Sequence, residues 1–137
     1  MNAHQRRIAE CLGVGGPPAH FARPVALSIE EFFDGNGDDS SIGCNLHPPL
    51  GLQVFRAELE RFRDRADVSG VWVVVTQWDE PDWPFSDRIV VATSLSNEDI
   101  LDALSRLSPS EIVGVTARLQ RQVRGAAEHE LVAVCWD

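Results

Sequence analysis

The chain has 137 residues, an apolar fraction of 44% and a net charge of −9. That length and composition mean one folded domain, burying about two thirds of its unfolded surface, and they exclude global disorder. The charge argues against nucleic-acid and anionic-membrane binding, because neither phosphate surface attracts such a field.

Residues 2–12 read as a short helix capped by Asn2, with Gly13 just past its end. Gly13 to Pro24 is a Gly/Pro-rich connector. Residues 1–24 thus precede a single α+β domain over 25–137. Val25 to Phe33 alternates Val25, Leu27, Ile29 and then Phe33 with smaller or polar residues, which predicts a strand. A polar loop follows, Asp34-Gly35-Asn36-Gly37-Asp38-Asp39-Ser40-Ser41-Ile42-Gly43-Cys44-Asn45.

Pro48 and Pro49 open a helix, where missing N–H groups cost nothing. Leu52, Phe55, Leu59, Phe62 and Ala66 give it one buried face. Val71 to Thr76 is the strongest strand signal, and it is apolar on both faces. Asp79 to Pro84 makes a loop and Asp87 to Thr93 a returning strand. Ser96 caps a helix with Asp99 three residues on, and Ile100, Leu101, Leu104 and Leu107 supply its apolar face. Ser108-Pro109-Ser110-Glu111 is a second capping box, predicting a helix over 109–124 that stops at Gly125. Glu130 to Trp136 closes as a strand.

This order predicts a ferredoxin-like βαββαβ fold: an antiparallel four-stranded sheet with its two main helices on one face, plus extra N-terminal and late helices. The doubly apolar strand 71–76 then requires cover on the other face. The N-terminal helix, the 109–124 helix or a second copy of the chain would provide it.

The candidate chemistry is sparse. All 12 basic residues are arginine, and lysine and tyrosine are absent. Lysine Schiff-base, P-loop lysine and tyrosine acid/base chemistry are therefore excluded. Cys44 and His47 form a C-x-x-H pair, half of a structural zinc set, and no second close pair completes it. The same pair suits a thiolate nucleophile with a histidine base, oriented by Asp34 or Asp38. Against that stands the plainer reading of a loop thiol and a loop-ending histidine. Asp34-x-Asn36-x-Asp38 resembles the start of a calcium loop. Asp39 stands where such loops need glycine, and Asn45 where they need a bidentate glutamate. These acids are also common turn formers. No metal and no cofactor is expected.

Trp78, Asp79, Glu80, Asp82, Trp83, Phe85 and Asp87 form an acidic-aromatic segment. Exposed tryptophans ringed by charge anchor protein interfaces, whereas buried ones act as lids over a sheet. From Arg106 to Arg124 four arginines stand against one acid, Glu111. They make either an acidic-partner site or a solvated helix face whose arginines favour its C-terminal end.

The segments Glu31-Phe32-Phe33-Asp34-Gly35-Asn36, Ser41-Ile42-Gly43-Cys44-Asn45-Leu46, Trp83-Pro84-Phe85-Ser86-Asp87 and Cys135-Trp136-Asp137 resemble a family of small uncharacterised bacterial proteins. The resemblance covers about residues 27–137 and carries no assigned activity. It implies a bacterial, cytoplasmic protein in which the polar loop and the WPFSD segment meet, tied through Asn45 or Asp87.

The start, MNAHQRRIAECLGVGG, holds no apolar core of signal-peptide length, and no run approaches a membrane span. The three cysteines, Cys11, Cys44 and Cys135, are odd in number and widely spaced, which fits reduced cytoplasmic thiols. Two functional classes stand open. One is a non-catalytic interaction module with a protein partner. The other is a small enzyme, or a metal- or ligand-binding protein, built on loop 34–47. A homodimer around an open sheet face is a third arrangement.

Overall fold

Ser28 ends the first strand and begins a helix. Its hydroxyl accepts from the Glu31 N–H, and the Glu31 carboxylate accepts from the Ser28 N–H. That reciprocal pair satisfies two N–H donors that a helix start leaves without partners. The computed structural model describes residues 24–46, 50–78, 83–123 and 130–136, together with 3, 6 and 9. Within them, strand β1 is Val25–Ser28 and helix α1 is Ile29–Phe33. The strand expected over 25–33 is therefore half strand and half helix. Local capping overrides the alternation of apolar residues.

Helix α2 spans Leu52–Arg63 and buries Leu52, Phe55, Leu59 and Phe62, the stripe read from the sequence. It starts later than the prolines implied. Gly51 occupies the cap position at φ 85°, a backbone shape that favours glycine. Strands β2 (Val68–Val75) and β3 (Arg88–Thr93) follow as expected. Helix α3, Asn97–Ala103, is capped by the Ser96 hydroxyl and runs into a 3₁₀ turn at Ser105–Leu107.

The predicted helix over 109–124 does not form as one element. Glu111–Gly114 is instead strand β4, and helix α4 occupies only Ala117–Gln122, with Thr116 as its cap. The β-branched pair Ile112-Val113 suits a strand, and Gly114 weakens a helix there. The partner strand β5, Glu130–Cys135, supplies the pairing. The Ser110 N–H and hydroxyl both donate to the Cys135 carbonyl and set the register.

The five strands form one sheet in the order β1-β2-β3-β5-β4, with every neighbouring pair antiparallel. The ferredoxin-like topology is thereby corrected. A split βαβ unit needs two parallel strands joined by a helix, whereas here the strands flanking α1 and α2 pair antiparallel with each other. The coarser expectation, an α+β fold on an antiparallel sheet, stands.

The first face of the sheet carries the main core, with Phe32 of α1, Phe55 and Leu59 of α2, and Ile100 of α3 over Val73 and Ile89. The second face carries a smaller cluster, Leu119 and Val123 over Val74 and Val90. The late segment thus covers the second face from within the chain. Of the expected N-terminal helix, Ala3, Arg6 and Ala9 are helical, and Ala9 is buried with the main core. The rest of residues 2–12 and the connector as far as Arg23 lie outside the described residues.

Candidate functional site

Two sequence-distant segments build the candidate site: the loop from Asp34 to Leu46, and Trp83 to Asp87. Short-range polar turns shape the loop first. The Asn36 carboxamide oxygen accepts from the Asp38 N–H at 2.9 Å, and Asp38 Oδ1 accepts from the Ser40 N–H at 3.0 Å. Both are the i to i+2 bonds by which Asn and Asp nucleate turns. Asn36 Nδ2 donates to Ser41 Oγ at 3.0 Å and weakly to the Phe32 carbonyl at 3.4 Å.

The second segment then docks on the first. The Ser86 N–H donates to the Ser41 carbonyl at 2.7 Å, and Ile42 pairs with Ser86 in a parallel bridge. The Trp83 indole N–H donates to the Phe32 carbonyl at 2.9 Å, and the Trp83 backbone N–H to Asp38 Oδ2 at 3.3 Å. Asn45 Nδ2 reaches the Trp136 carbonyl at 3.2 Å, and the Trp136 N–H donates to the Asp87 carbonyl at 2.8 Å. The polar loop and the WPFSD segment therefore meet, and both Asn45 and Asp87 take part in the ties.

A ring stack lies beneath. Phe55 and Trp136 meet edge to face with centroids 5.4 Å apart. Gly43 sits on the Phe55 ring at φ 68°, where any Cβ would run into the ring. The Trp136 indole N–H is satisfied by the Leu107 carbonyl at 2.7 Å.

Each described acid of the loop has a separate structural partner. Asp34 pairs with Arg56 at 2.8 Å. Asp39 Oδ1 accepts from the Leu52 N–H at 3.1 Å and caps α2 across the loop. Asp38 bonds Ser40 and Trp83. Its burial alone would raise its pKa, but the Ser40 hydroxyl, the Ser40 N–H and the Trp83 N–H outweigh this and hold it below the ordinary 3.8. Cys44 is exposed, with its sulfur 3.8 Å from Asn45 Oδ1. Asp34, Asp38 and Cys44 thus address three different neighbours. His47 lies outside the described residues, and no group of three His, Cys, Asp or Glu among the described residues has metal-holding geometry.

Trp78 and Trp83 are 1% and 4% exposed, so both lie inside the fold. Phe85 is half-buried, and Asp87 pairs with Arg88 at 3.0 Å. Asp79, Glu80 and Asp82 lie outside the described residues. Arg118 and Arg121 are exposed on α4, and Arg124 lies outside the described residues.

Two structural residues were not picked out from the sequence, Arg56 and Glu58. Glu58 is buried and bonded by Arg61 and by Arg106 at 3.0 Å. The Arg61 hydrogen bond, against the opposing effect of burial and with the charges of both arginines, holds Glu58 below the ordinary 4.5. A groove of about 240 Å³ lies beside Arg56, lined also by Phe33, Asn36, Leu52 and Glu60. It is smaller than the roughly 300–1,000 Å³ of small-molecule sites.

Fold and site define a small α+β protein whose most polar loop is locked to a second segment by hydrogen bonds. The chain belongs to the YfbO family of uncharacterised proteins, whose model matches residues 3–134. The match takes in the N-terminal segment that the four motifs left outside. A relative described as uncharacterized protein YfbO, from Escherichia coli strain K12, is 42% identical over 96 residues. That alignment covers 69% of this chain and 68% of the relative. No solved structure matches. Among the described residues no helix is long and apolar enough to cross a membrane.

Proposed function

We propose that the protein is a non-catalytic, cytoplasmic protein-interaction or binding module. One observation carries the reading: the described loop acids and amides that would do chemistry are spent on internal bonds. Asp34, Asp38, Asp39, Asn36 and Asn45 each hold a neighbouring segment in place. Among the described residues no buried side-chain nitrogen or oxygen lacks a hydrogen-bond partner, so none is left aimed at a ligand.

Trp78 and Trp83, buried, anchor the two ends of the segment that carries Asp79, Glu80 and Asp82. We assign partner contact to those acids, with a basic protein surface as the complement to a chain of charge −9. The exposed thiol of Cys44, in no disulfide, suits a reducing compartment.

The test is purification from the native host at low salt, with wild-type protein and with Asp79, Glu80 and Asp82 all changed to Arg. A basic partner should accompany the wild type and be lost from the variant. A partner retained by the folded variant overturns the assignment. Thiol labelling tests the enzyme reading separately. Cys44 is expected to react like a model thiol, and faster reaction at neutral pH would favour nucleophilic chemistry.

A further inference from the structure

Asn36 is followed by Gly37, and the loop folds the Asn36 side chain onto the peptide between them. Its Oδ1 accepts from the Asp38 N–H at 2.9 Å, two residues on, so the carboxamide lies over its own C-terminal peptide group. Its Nδ2 stands 3.0 Å from Ser41 Oγ, and Ser41 is buried. Gly37 is exposed, and a Cβ there would meet nothing within 4 Å. Among the described residues no backbone carbonyl accepts from the Gly37 N–H. That peptide group is therefore free to turn and open to hydroxide.

We propose that Asn36 is a self-modification site: the Gly37 nitrogen displaces its side-chain nitrogen, and water converts position 36 to aspartyl and isoaspartyl forms. Hydroxide removes the Gly37 N–H proton. The nitrogen attacks Asn36 Cγ, an N–C bond forms, and the carbonyl electron pair moves onto Oδ1. The Asp38 N–H already points at that oxygen and stabilises the charge as it develops. The Cγ–Nδ2 bond then breaks. The Ser41 hydroxyl turns to give its proton to the departing nitrogen, which leaves as ammonia. A water reprotonates Ser41 and regenerates hydroxide. Water opens the resulting cyclic imide at either carbonyl. Attacker and target are neighbours in the chain, so no separate reactant has to be brought to Cγ.

The reaction selects this position. Asn45 and Asn97 precede Leu46 and Glu98, whose side chains crowd the same ring closure. The product loses what the carboxamide gives the loop. An acid at position 36 has no N–H for the Phe32 carbonyl, 3.4 Å from Nδ2, and adds to the charge of −9. The isoaspartyl form also lengthens the main chain by a methylene just ahead of Asp38. The contacts affected are those that dock the second segment. They run from the Trp83 N–H to Asp38, from the Trp83 indole to Phe32 and from the Ser86 N–H to Ser41. Conversion thus unlocks the polar loop from the WPFSD segment, once in the life of each molecule.

Peptide-mapping mass spectrometry of the purified full chain, held at mildly alkaline pH, tests the proposal and does not depend on the basic-partner reading. The expected result is amide-to-acid conversion at position 36, faster as pH rises, with Asn45 and Asn97 unchanged. Gly37→Ala should slow it about tenfold or more, because a Cβ crowds the attacking nitrogen and stiffens its backbone. That variant keeps the fold, since Gly37 lies outside the left-handed region and its Cβ position is open. Asn36→Asp reproduces one product and should speed hydrogen exchange at the Ser86 amide several-fold. A position 36 that stays an amide overturns the proposal, most directly where the urea-unfolded chain converts under the same conditions. Gly37→Ala protein that converts as fast as the wild type also overturns it. Unchanged Ser86 exchange in folded Asn36→Asp protein overturns the unlocking. Should Asn36→Asp fail to fold, the same exchange read on converted wild type decides.

Discussion

The two faces of the sheet are held by different means. The first is covered by three helices whose aromatic and aliphatic side chains interlock with Trp136. The second is covered by six-residue α4 and the residue that caps its end, which contribute Leu119 and Val123. The comparison teaches that equal burial of a strand's two faces does not require equal cover. Val73 and Val74 are both fully buried, one under a thick layer and one under a thin layer.

The largest expected effect tests the thick side. Phe55→Ala removes the ring on which Gly43 and Trp136 rest, and should cost about 3–5 kcal/mol in urea unfolding. Leu119→Ala on the thin side should cost about 2–3 kcal/mol, because a marginal helix can shift to fill the space. Equal losses would break the distinction between the faces.

A smaller effect lies in the loop. Asp38→Asn should cost about 1 kcal/mol, since charged acceptors hold their donors more tightly than neutral ones. The sign with pH is fixed by the lowered folded pKa. The contribution is complete above the ordinary 3.8 and is lost as pH falls through the lower folded value. The variant's stability should therefore fall less steeply below that point, as read by thermal melts across acid pH. Smallest is Gln122→Ala, about 0.5 kcal/mol, with faster hydrogen exchange at the Ala26 amide, which donates to the Gln122 carboxamide oxygen at 2.7 Å. Unchanged exchange there would mean the β1 edge is not closed by that side chain.

The same contrast explains what the sequence disclosed. The thick side comes from long periodic elements: the stripe of α2, the valine run of β2 and the Ser96 cap of α3 were all legible. The thin side comes from short pieces whose form depends on tertiary partners. Ile112 fits a helical stripe and a strand equally, and pairing with β5 decides between them. Helix α1 was signalled by Ser28 and Glu31, but five residues of helix hide easily within an alternating pattern. The strand order was illegible because nothing local distinguishes a parallel neighbour from an antiparallel one.

The loop was recognisable as the polar centre of the chain, and its Asx turns follow from residue types alone. Its partners were not readable in the same way. Asp38 and Trp83 meet across 45 residues, and only shared motifs suggested that those segments belong together.

The Asn45 tie to Trp136 spans 91 residues of chain. At roughly 5–20 residues per second of synthesis, the loop waits about 5–20 s for that anchor. During this interval the Phe55 ring lacks its edge-to-face partner and α2 presents an unfinished apolar surface. Chaperone demand for this protein should accordingly peak before the final strand is made, and a ribosome paused between α4 and β5 would hold the chain in its most aggregation-prone state.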